Sequence, residues 1–324
     1  MKFLIIDDEH ELYKIMYADL LNKNTKYDVE EVPKFVTLPG ILKFVNNLHF
    51  NDKINRHIWI PFKKIWNRFY YLNKIKFDSK EEYWIVFLNG TLRNFYSIDY
   101  LNKFKKKHSN VRLALVMYDS STNSSASRAF KMLTCFDKII SFDERDCKNY
   151  GFEHIFSTLS FPNFLNKDKD YQSDVFFVGS SVGRERLLFD VVEKIMTQVK
   201  NPSFFITGVN EKKEGLPIKY NQSISYSEAL LRSYNTDCIL EIVKPGQTGI
   251  TLRTCEAILF NKKLLTNNTS LLDMPFYNEK FMSVFKNVDE LDLNFLSKKI
   301  DVKYHYKGEF SPERVLESLN KGEN

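Results

Sequence analysis

The stretch Tyr83-Trp84-Ile85-Val86-Phe87-Leu88 is a continuous run of six apolar residues that ends in the turn-forming triplet Asn89-Gly90-Thr91. A run without polar alternation is typical of a strand that is buried on both faces. Similar short runs, separated by helix-like patterns, occur at Met1–Ile6, Val111–Tyr118, Lys138–Phe142 and His154–Phe161. Buried strands that alternate with helices predict a parallel β-sheet flanked by helices, which is the α/β class.

The same pattern begins again after a polar break. The segment Pro162–Ser173 is charged, opens with proline and is typical of a domain linker. The elements predicted beyond it are strand Asp174–Val178, helix Arg184–Val199, strand Ser203–Thr207, helix Ser225–Tyr234, strand Cys238–Val243, helix Ile250–Phe260 and strand Lys263–Thr266. A chain of 324 residues is long enough for two such domains. We expect them at residues 1–165 and 174–300, with a linker at 166–173 and a terminal helix or tail at 301–324.

The composition excludes several classes of protein. Hydrophobic residues make up 43% and charged residues 27% of the chain, as in globular proteins and unlike disordered, fibrous or polytopic membrane proteins. The apolar start Met1–Ile6 is too short for a signal peptide and is followed by acids. The four cysteines lie at positions 135, 147, 238 and 255, outside any zinc-ligand spacing. We therefore expect a reduced, cytoplasmic protein.

Basic residues are concentrated in one segment of the first half. The chain has 47 Lys and Arg against 41 Asp and Glu, a net charge of +6, but Lys53–Lys76 alone holds seven basic residues interleaved with aromatics and no acid. Three interpretations stay open: an amphipathic segment whose aromatics are core, contact with an anionic membrane, or contact with single-stranded nucleic acid. No nucleic-acid motif accompanies the segment, so we expect no nucleic-acid partner. The candidates for a membrane or acceptor surface are Trp59, Lys63, Lys64, Trp66 and Arg68.

A first candidate anion site follows the strand Asp174–Val178. There Gly179-Ser180-Ser181-Val182-Gly183-Arg184 leads from a strand into a helix. Backbone N–H groups at a helix start favour an anion, and an arginine adds charge-assisted hydrogen bonds to phosphate. We therefore take Gly179, Ser180 and Arg184 as candidates for binding a diphosphate. An ordinary turn between strand and helix is the alternative.

A second candidate site lies in Glu241–Ala257, where another strand gives way to a small-residue turn and a helix. The residues that would present N–H groups and hydroxyls to a diphosphate at this helix start are Thr248, Gly249, Ile250 and Thr251. Arg253 and Glu256 are three residues apart and therefore lie on one helix face. They form either an ordinary ion pair or a site in which Arg253 contacts the diphosphate and Glu256 accepts hydrogen bonds from ribose hydroxyls.

The motifs that carry a resemblance are Tyr226-Ser227-Glu228, Ile239-Leu240-Glu241, Gln247-Thr248-Gly249, Leu252-Arg253-Thr254-Cys255-Glu256-Ala257 and Lys263-Leu264-Leu265-Thr266-Asn267-Asn268, with Phe136–Asp146 and Lys148–Gly151 in the first half. In them the chain resembles bacterial glycosyltransferases of the GT-B type from capsule, exopolysaccharide and lipopolysaccharide clusters. The resemblance implies two Rossmann-like α/β domains that face a central cleft, with the acceptor in the first and a nucleotide sugar in the second. It also implies that Glu256 binds the donor ribose and that Thr248, Gly249 and Arg253 bind its diphosphate.

The chain departs from the family at one point. Many retaining relatives carry a second glutamate seven or eight residues before the ribose-binding one, where this sequence has Thr248 and Gly249. Inversion at the sugar is therefore favoured. The only Asp-x-Asp motif, Asp168-Lys169-Asp170, lies in the predicted linker, so we expect no metal and no other cofactor.

An inverting transferase needs a base in the acceptor domain, which removes the proton from the attacking hydroxyl. Asp119 directly follows the predicted strand Val111–Tyr118 and is the first candidate. Asp7 and Asp8, which follow Met1–Ile6, are the second.

These features, taken with the resemblance, predict an enzyme that moves a sugar from a nucleotide-diphosphate sugar to an oligosaccharide or lipid-linked acceptor in bacterial surface polysaccharide synthesis. We expect it in the cytoplasm or peripherally on the inner face of the cell membrane. Two alternatives stay open: a nucleotide-sugar epimerase of the same architecture, and a non-enzymatic regulatory protein that binds nucleotides or nucleic acid.

Overall fold

The computed structural model describes residues 1–22, 24–58, 60–92, 95–123, 126–245 and 249–321; for Asp52, Lys53 and Arg56 the side chains are outside the description. The chain divides into two compact units. Unit 1 comprises Met1–Ile155 together with Pro312–Asn324, and unit 2 comprises Phe156–Ser311. The division falls before the predicted linker 166–173, and the residues from Pro312 onward group with unit 1.

Unit 1 is built on a six-stranded parallel sheet with the strand order β2-β1-β3-β4-β5-β6. Its strands are β1 (Lys2–Ile6), β2 (Asp28–Val32), β3 (Tyr83–Leu88), β4 (Val111–Met117), β5 (Lys138–Ser141) and β6 (Glu153–His154). All six side chains of β3 are buried, as its continuous apolar run predicted. β3 is an inner strand because β1 and β4 pair with it on either side, so both of its faces must be covered.

The two edge strands of this sheet differ from the sequence prediction. β2 was missed because its sequence is acidic and most of its side chains are exposed, which removes the apolar signal. The predicted strand His154–Phe161 is wrong beyond its first residue, because β6 pairs with β5 only through Glu153 and His154. Ile155 is the last residue before unit 2, and the apolar residues from Phe156 onward belong to unit 2, where the Leu159 amide donates to the Phe310 carbonyl over 2.7 Å.

The helices of unit 1 before the second unit are α1 (Glu11–Met16), α2 (Ala18–Leu21), α3 (Gly40–Phe50), α4 (Asp52–His57), α5 (Ile98–Lys107), α6 (Ser127–Phe130) and α7 (Glu144–Tyr150). Short 3₁₀ helices cover Lys63–Phe69, Tyr71–Lys74, Asn89–Leu92 and Leu133–Cys135. α5 illustrates why these segments are helical: the Ser97 hydroxyl caps it by accepting from the Tyr100 amide over 3.2 Å, and its last turn is basic, which complements the helix dipole.

Aromatic residues make up 15% of the chain, and part of them form the core of unit 1. The Tyr70 ring stacks on Phe35 and Tyr96, with centroids 5.0 and 4.3 Å apart. Burial raises the pKa of Tyr70 to about 12. Tyr70 and the buried Trp66 both come from the basic segment Lys53–Lys76. For these two residues the first interpretation, aromatics that serve as core, is the one that the structure supports.

Unit 2 repeats the design with a second six-stranded parallel sheet, in the order β12-β11-β10-β7-β8-β9. Its strands are β7 (Ser173–Ser180), β8 (Pro202–Thr207), β9 (Ile218–Tyr220), β10 (Thr236–Glu241), β11 (Lys263–Thr266) and β12 (Met282–Val284). Its helices are α8 (Glu185–Ile195), α9 (Tyr226–Asn235), α10 (Leu252–Leu259) and α11 (Leu293–Ser297). Every strand and helix that the sequence predicted in this half is present. The prediction of two Rossmann-like α/β domains is therefore confirmed.

The terminal helix α12 (Glu313–Asn320) groups with unit 1. Val315, Leu316 and Leu319 on it are fully buried. The Lys138 ammonium of β5 donates to the Ser318 carbonyl near the end of α12, and Leu319 lines a surface depression together with side chains of β3 and β4. The last helix therefore completes the unit that contains the start of the chain.

Replacement of Leu319 by alanine should destabilise unit 1 by about 2–5 kcal/mol, since it leaves a cavity at a fully buried position. The three tryptophans, Trp59, Trp66 and Trp84, all belong to unit 1. Tryptophan fluorescence during urea unfolding therefore reports on that unit, and its midpoint should fall. The exposed neighbour Asn320 provides the control, because Asn320→Ala should leave the midpoint unchanged. An unchanged midpoint in Leu319→Ala would contradict the packing of α12 on unit 1.

Candidate functional site

The crevice of unit 2 is set by strand order. From β7 the chain continues to β8 and β9 on one side, and from β10 it continues to β11 and β12 on the other. β7 and β10 are neighbours, paired through Val175 with Cys238 and Phe176 with Ile239. In a doubly wound sheet, ligands bind at such a reversal, beyond the carboxyl ends of the two strands. The residues that follow β7 and β10 are the two motifs singled out in the sequence.

The loop after β7 holds an arginine against a glycine. A Cβ added to Gly179 would lie 2.9 Å from Nη2 of Arg184 and 3.1 Å from the Phe177 ring, so glycine gives the guanidinium its space. Nε of Arg184 donates to the Ser180 carbonyl over 2.9 Å. Desolvation lowers the pKa of Arg184, while the negative charge of Glu241, at the end of β10, acts in the opposite direction. Three predicted residues, Gly179, Ser180 and Arg184, thus lie together.

The start of α8 adjoins this arginine. Gly183 has a φ of +79°, and Arg184 is the residue before the helix. The Ser181 hydroxyl lies 2.7 Å from the Gly208 carbonyl, after β8, and 3.0 Å from the Glu185 carboxylate. Arg186 is almost fully exposed and pairs at 3.9 Å with Asp190. Arg184 therefore lies in the crevice, and Arg186 lies on the outer surface of the helix.

The carboxylate of Glu241 ends β10 and is buried. It accepts hydrogen bonds from the hydroxyls of Thr251, Thr254, at 2.9 Å, and Thr266, at 2.6 Å. These threonines precede α10, lie within it, and end β11. Three hydroxyls compensate for the desolvation of a buried carboxylate. Glu241 thus fixes the start of α10 relative to two strands.

Two asparagines after β11 hold the loop between β10 and α10. Asn267 pairs with the Val243 backbone, accepting from its amide at 2.7 Å and donating to its carbonyl at 3.2 Å. The Asn268 amide donates to the Gly249 carbonyl over 2.8 Å, and Gly249 has a φ of +87°. Both described ends of the loop are therefore anchored. The predicted ligand Thr248 lies outside the described residues.

Two predicted residues of this loop have internal roles. The Ile250 side chain is buried, and its carbonyl accepts from Ser157 over 3.3 Å. The Thr251 hydroxyl caps α10 by accepting from the Arg253 amide over 3.0 Å, and it donates to Glu241. The Thr251 hydroxyl is therefore engaged within the protein.

Glu256 forms a buried network with Arg253. Its carboxylate is fully buried and accepts from the Arg253 guanidinium, the Ser233 hydroxyl at 2.6 Å and the Tyr226 hydroxyl at 3.3 Å. Burial raises the pKa of Glu256, and the charge of Arg253 opposes that rise. The ion pair that the spacing allowed is present. A ribose hydroxyl would be an additional partner of a carboxylate that already has three donors.

The candidate bases of unit 1 lie at the carboxyl ends of its strands. Here the order reverses between β1 and β3, and the carboxyl ends of β1, β3 and β4 lie side by side. A Cβ on Gly90, after β3, would overlap the carboxylate of Asp8, after β1. Asp119, after β4, accepts from the Asn89 amide over 2.8 Å and from Asn123 over 2.9 Å. Asp7 accepts from the Glu9 amide over 2.6 Å and lies 3.8 Å from the Lys14 ammonium.

The predicted membrane surface needs a correction. Trp66 is only 2% exposed, because its indole packs on α3 and donates to Nδ1 of His49 over 2.5 Å. Lys63 donates to the Asn55 side chain over 2.6 Å, whereas Lys64 and Arg68 are exposed. Trp59 lies outside the described residues. Trp66 therefore cannot supply an aromatic contact to a membrane.

Several residues that organise these sites had no role predicted from the sequence. They are Asn89, Tyr226, Ser233, Glu241, Thr266, Asn267 and Asn268. A usable signal existed for most of them, since Asn89, Glu241, Thr266 and the two asparagines end or directly follow apolar strands. Among the described residues, no group of three or more His, Cys, Asp or Glu side chains is arranged to hold a metal. Within the same residues, no helix has the length and apolar character to cross a bilayer.

Replacement of Arg253 by methionine should destabilise the protein by about 3–5 kcal/mol, because it leaves the buried Glu256 carboxylate without its cation. Loss of that cation raises the pKa of Glu256 further. A carboxyl whose pKa is raised by folding loses stability as the pH rises above its unfolded value of about 4.3. The defect should therefore be larger at pH 8 than at pH 5.5 in urea unfolding followed by circular dichroism.

Two further variants control this experiment. Adding Glu256→Gln to Arg253→Met should restore part of the stability and remove the pH dependence of the defect. Arg186→Met breaks an exposed pair with Asp190 and should have little effect, as is usual for surface ion pairs. Equal effects of Arg253→Met and Arg186→Met would contradict the buried network.

Comparisons with known proteins identify the fold. No protein-family model and no curated protein matches the chain. A solved alpha-glucosyltransferase, in complex with UDP-glucose and DNA containing an abasic site, is 13% identical, with a TM-score of 0.56 over 99% of both chains. Trehalose-6-phosphate synthase OtsA is 10% identical, with a TM-score of 0.52 over 92% of this chain and 91% of that one. MnaA from S. aureus in its UDP co-structure is 10% identical, with a TM-score of 0.51 over 98% of this chain and 96% of that one. The chain therefore has the GT-B fold, as its sequence motifs suggested.

Proposed function

We propose that the protein is a glycosyltransferase that uses a nucleotide-diphosphate sugar. The observation that carries the proposal is Arg184, whose guanidinium lies beside Gly179 at the strand-order reversal between β7 and β10. A cation at this position suits a diphosphate. Two of the solved structures with this fold contain UDP or UDP-glucose, which supports a nucleotide-sugar donor.

The donor diphosphate would bind between the starts of α8 and α10. The first-turn N–H groups of each helix lack helical partners and favour an anion, and Arg184 adds a full positive charge. Gly179, Ser180, Thr248, Gly249, Ile250 and Thr251 would supply close backbone approach and N–H donors. Stabilisation of the departing diphosphate by fixed cations and dipoles needs no metal, so we propose metal-independent transfer.

Ribose recognition is proposed for Glu256, within its buried network. The bond from the Tyr226 hydroxyl is the longest of its three, at 3.3 Å. Exchange of this hydroxyl for a ribose hydroxyl would keep Arg253 and Ser233 in contact with the carboxylate. Arg253 would then stay close to both the ribose and the diphosphate, which links the two roles that the resemblance implied.

The acceptor would bind at the carboxyl ends of the strands of unit 1, with Asp119 as general base. Each carboxylate oxygen of Asp119 accepts one amide hydrogen bond, which fixes its orientation and leaves lone pairs for a hydroxyl proton. As Asp119 takes that proton, the acceptor oxygen would bond to the anomeric carbon on the face opposite the departing nucleoside diphosphate, which inverts the configuration. Asp7 and Asp8, which follow the carboxyl end of β1, are the alternatives. The proposed acceptor is an oligosaccharide or lipid-linked sugar of bacterial surface polysaccharide synthesis, reached from the cytoplasmic side.

A nucleotide-sugar donor should raise the melting temperature of the protein. A ligand present at 100 times its Kd stabilises by about 2.7 kcal/mol, which corresponds to about 5 °C or more for a domain of this size. Thermal shift with UDP-, GDP-, dTDP- and CMP-sugars would identify the donor. Arg184→Gln should weaken its binding by roughly 10- to 100-fold, the usual effect of losing a charged hydrogen bond.

The matched control is Arg186→Gln, an exposed arginine two residues further along the chain. It should bind the donor like wild type. If no nucleotide sugar stabilises the wild-type protein, the proposed function is wrong. If Arg184→Gln and Arg186→Gln behave alike, the proposed place of the diphosphate is wrong.

Asp119→Asn should reduce sugar transfer by about 10²–10⁴-fold, the range expected for loss of a general base, and should leave the donor-induced thermal shift intact. The assay measures transfer of radiolabelled sugar from the stabilising donor to lipid-linked oligosaccharides extracted from bacterial membranes. Asp99→Asn on the surface of α5 is the control. Wild-type activity should persist in excess EDTA.

Four outcomes would decide against parts of this mechanism. Full activity of Asp119→Asn would transfer the base role to Asp7 or Asp8. A strict requirement for a divalent cation would exclude metal-independent transfer. Conversion of the donor sugar without any acceptor would point to an epimerase, and transfer to DNA in place of the oligosaccharide would overturn the proposed acceptor.

A further inference from the structure

Unit 1 carries an exposed apolar surface that is flanked by basic side chains. Five of its large side chains are exposed by half or more: Ile41 (82%), Phe44 (70%), Ile58 (66%), Phe62 (77%) and Ile65 (52%). Leu42 and Leu48 are also exposed. Single exposed apolar residues are normal, but several within about 25 residues of chain form the kind of patch that marks an interaction surface.

The helix α3 is apolar on two faces, and only one of them packs on the core. Phe50 is buried against Phe95 and Phe35, with ring centroids 4.8 and 5.4 Å apart. Ile41, Phe44 and Leu48 follow the i, i+3, i+7 spacing, so they share another face. That face is exposed. The core of unit 1 therefore explains Phe50 but not Ile41 or Phe44.

Ile58 and the described residues 60–65 extend this surface beyond the end of α3. The 3₁₀ helix Lys63–Phe69 packs on α3 through Trp66, which donates to His49. It contacts α4 through Lys63, which donates to Asn55. Phe62, just before it, has a left-handed backbone with a φ of +64°, an unusual conformation for a bulky residue. Its ring is nevertheless 77% exposed, so burial within this chain does not account for that conformation.

Charge identifies the kind of partner that fits. Between Pro33 and Phe77 the sequence contains nine Lys and Arg and one acid, Asp52. Lys43, Lys64, Arg68 and Lys76 are exposed side chains in this stretch. The partner must therefore combine negative charge with an apolar phase. The interface of an anionic bilayer has both, with head groups for the cations and acyl chains for the apolar side chains.

Two other partners fit less well. A two-fold contact with a second copy of this chain would bring the same basic surface against itself. A nucleic acid would satisfy the cations and could stack on Phe44 and Phe62, but it offers no apolar phase for the aliphatic side chains of Ile41, Ile58 and Ile65.

We propose that α3, Ile58 and residues 60–65 dock unit 1 onto anionic membranes, with Ile41, Phe44, Ile58, Phe62 and Ile65 entering the acyl boundary and Lys43, Lys64 and Arg68 contacting lipid phosphates. The surface differs from the one expected from sequence, since Trp66 is core and the inserted residues are aliphatic and phenylalanine side chains. The proposal does not depend on the donor or on the sugar transferred.

Flotation of the full chain with vesicles tests the proposal. Wild type should bind vesicles of 70% phosphatidylcholine and 30% phosphatidylglycerol, and should bind pure phosphatidylcholine at least about tenfold more weakly. Phe44→Ser/Phe62→Ser should lower the partition coefficient about tenfold or more, because two large apolar side chains leave the bilayer. Lys43→Gln/Lys64→Gln/Arg68→Gln should lower it by roughly a hundredfold on the anionic vesicles only, because each of the three charges contributes about fivefold.

Matched controls come from exposed residues of unit 2. Phe164→Ser/Leu272→Ser removes exposed apolar side chains, and Lys212→Gln/Lys280→Gln/Lys299→Gln removes exposed charges; both should float like wild type. Because the substituted residues of unit 1 are exposed, circular dichroism and tryptophan fluorescence should be unchanged. Absence of flotation, or flotation that is insensitive to Phe44→Ser/Phe62→Ser, would overturn the proposal.

Two further measurements give the other partners a direct test. Sedimentation would overturn the proposal if it found a dimer that Phe44→Ser/Phe62→Ser dissociates, since a second copy would then cover this face. Tighter binding to a single-stranded oligonucleotide than to anionic vesicles, lost in the same variant, would do so as well. The donor-induced thermal shift of the phenylalanine variant should equal that of wild type, so failure of docking and failure of donor binding are distinguishable.

Discussion

The arrangement of unit 2 depends on the hydrogen bonds that the buried carboxylate of Glu241 accepts. A desolvated carboxylate is costly unless it is hydrogen-bonded, and here three threonine hydroxyls satisfy it. Those hydroxyls come from the residue before α10, from α10 itself and from the end of β11. One acid therefore ties two neighbouring strands to the helix between them. The two ends of the loop 242–251 are therefore fixed. Asn267 and Asn268, after β11, hold its backbone at Val243 and Gly249.

A shared constraint explains why glycine stands beside a charged side chain at each crevice. At the strand-order reversals the loops diverge, and a side chain can lie over the backbone of its own loop or of the neighbouring one. Arg184 does so over Gly179 in unit 2, and Asp8 does so over Gly90 in unit 1. In both cases a Cβ would occupy the space of the charged group. The same packing thus places a cation beside the glycine in unit 2 and an acid beside the glycine in unit 1.

The sequence predicts the parts of this structure that are governed by local pattern. The inner strands are continuous apolar runs because they are buried on both faces, which is why β3 and β10 could be recognised. β2 could not, since an edge strand needs little apolar character and Asp28-Val29-Glu30-Glu31-Val32 has little. The association of α12 with unit 1 depends on contacts across most of the chain, which no local pattern encodes. The candidate site shows the same limit: the spacing of Arg253 and Glu256 allowed their ion pair, but the donors Ser233 and Tyr226 come from another helix and were not predicted.

The basic segment shows why hydrophobic character alone does not decide what a side chain does. Trp66 and Phe62 are four residues apart and are both large aromatics, yet one is 2% and the other 77% exposed. What separates them is the partner: His49 and Phe50 of α3 receive Trp66, whereas Phe62 precedes the 3₁₀ helix on a left-handed backbone. A fold under selection for stability alone would gain by replacing exposed Ile41, Phe44 and Phe62 with polar residues, because water contact with large apolar side chains also favours aggregation. Their presence beside a cationic stretch therefore argues for a second apolar environment, outside the protein, that this surface enters.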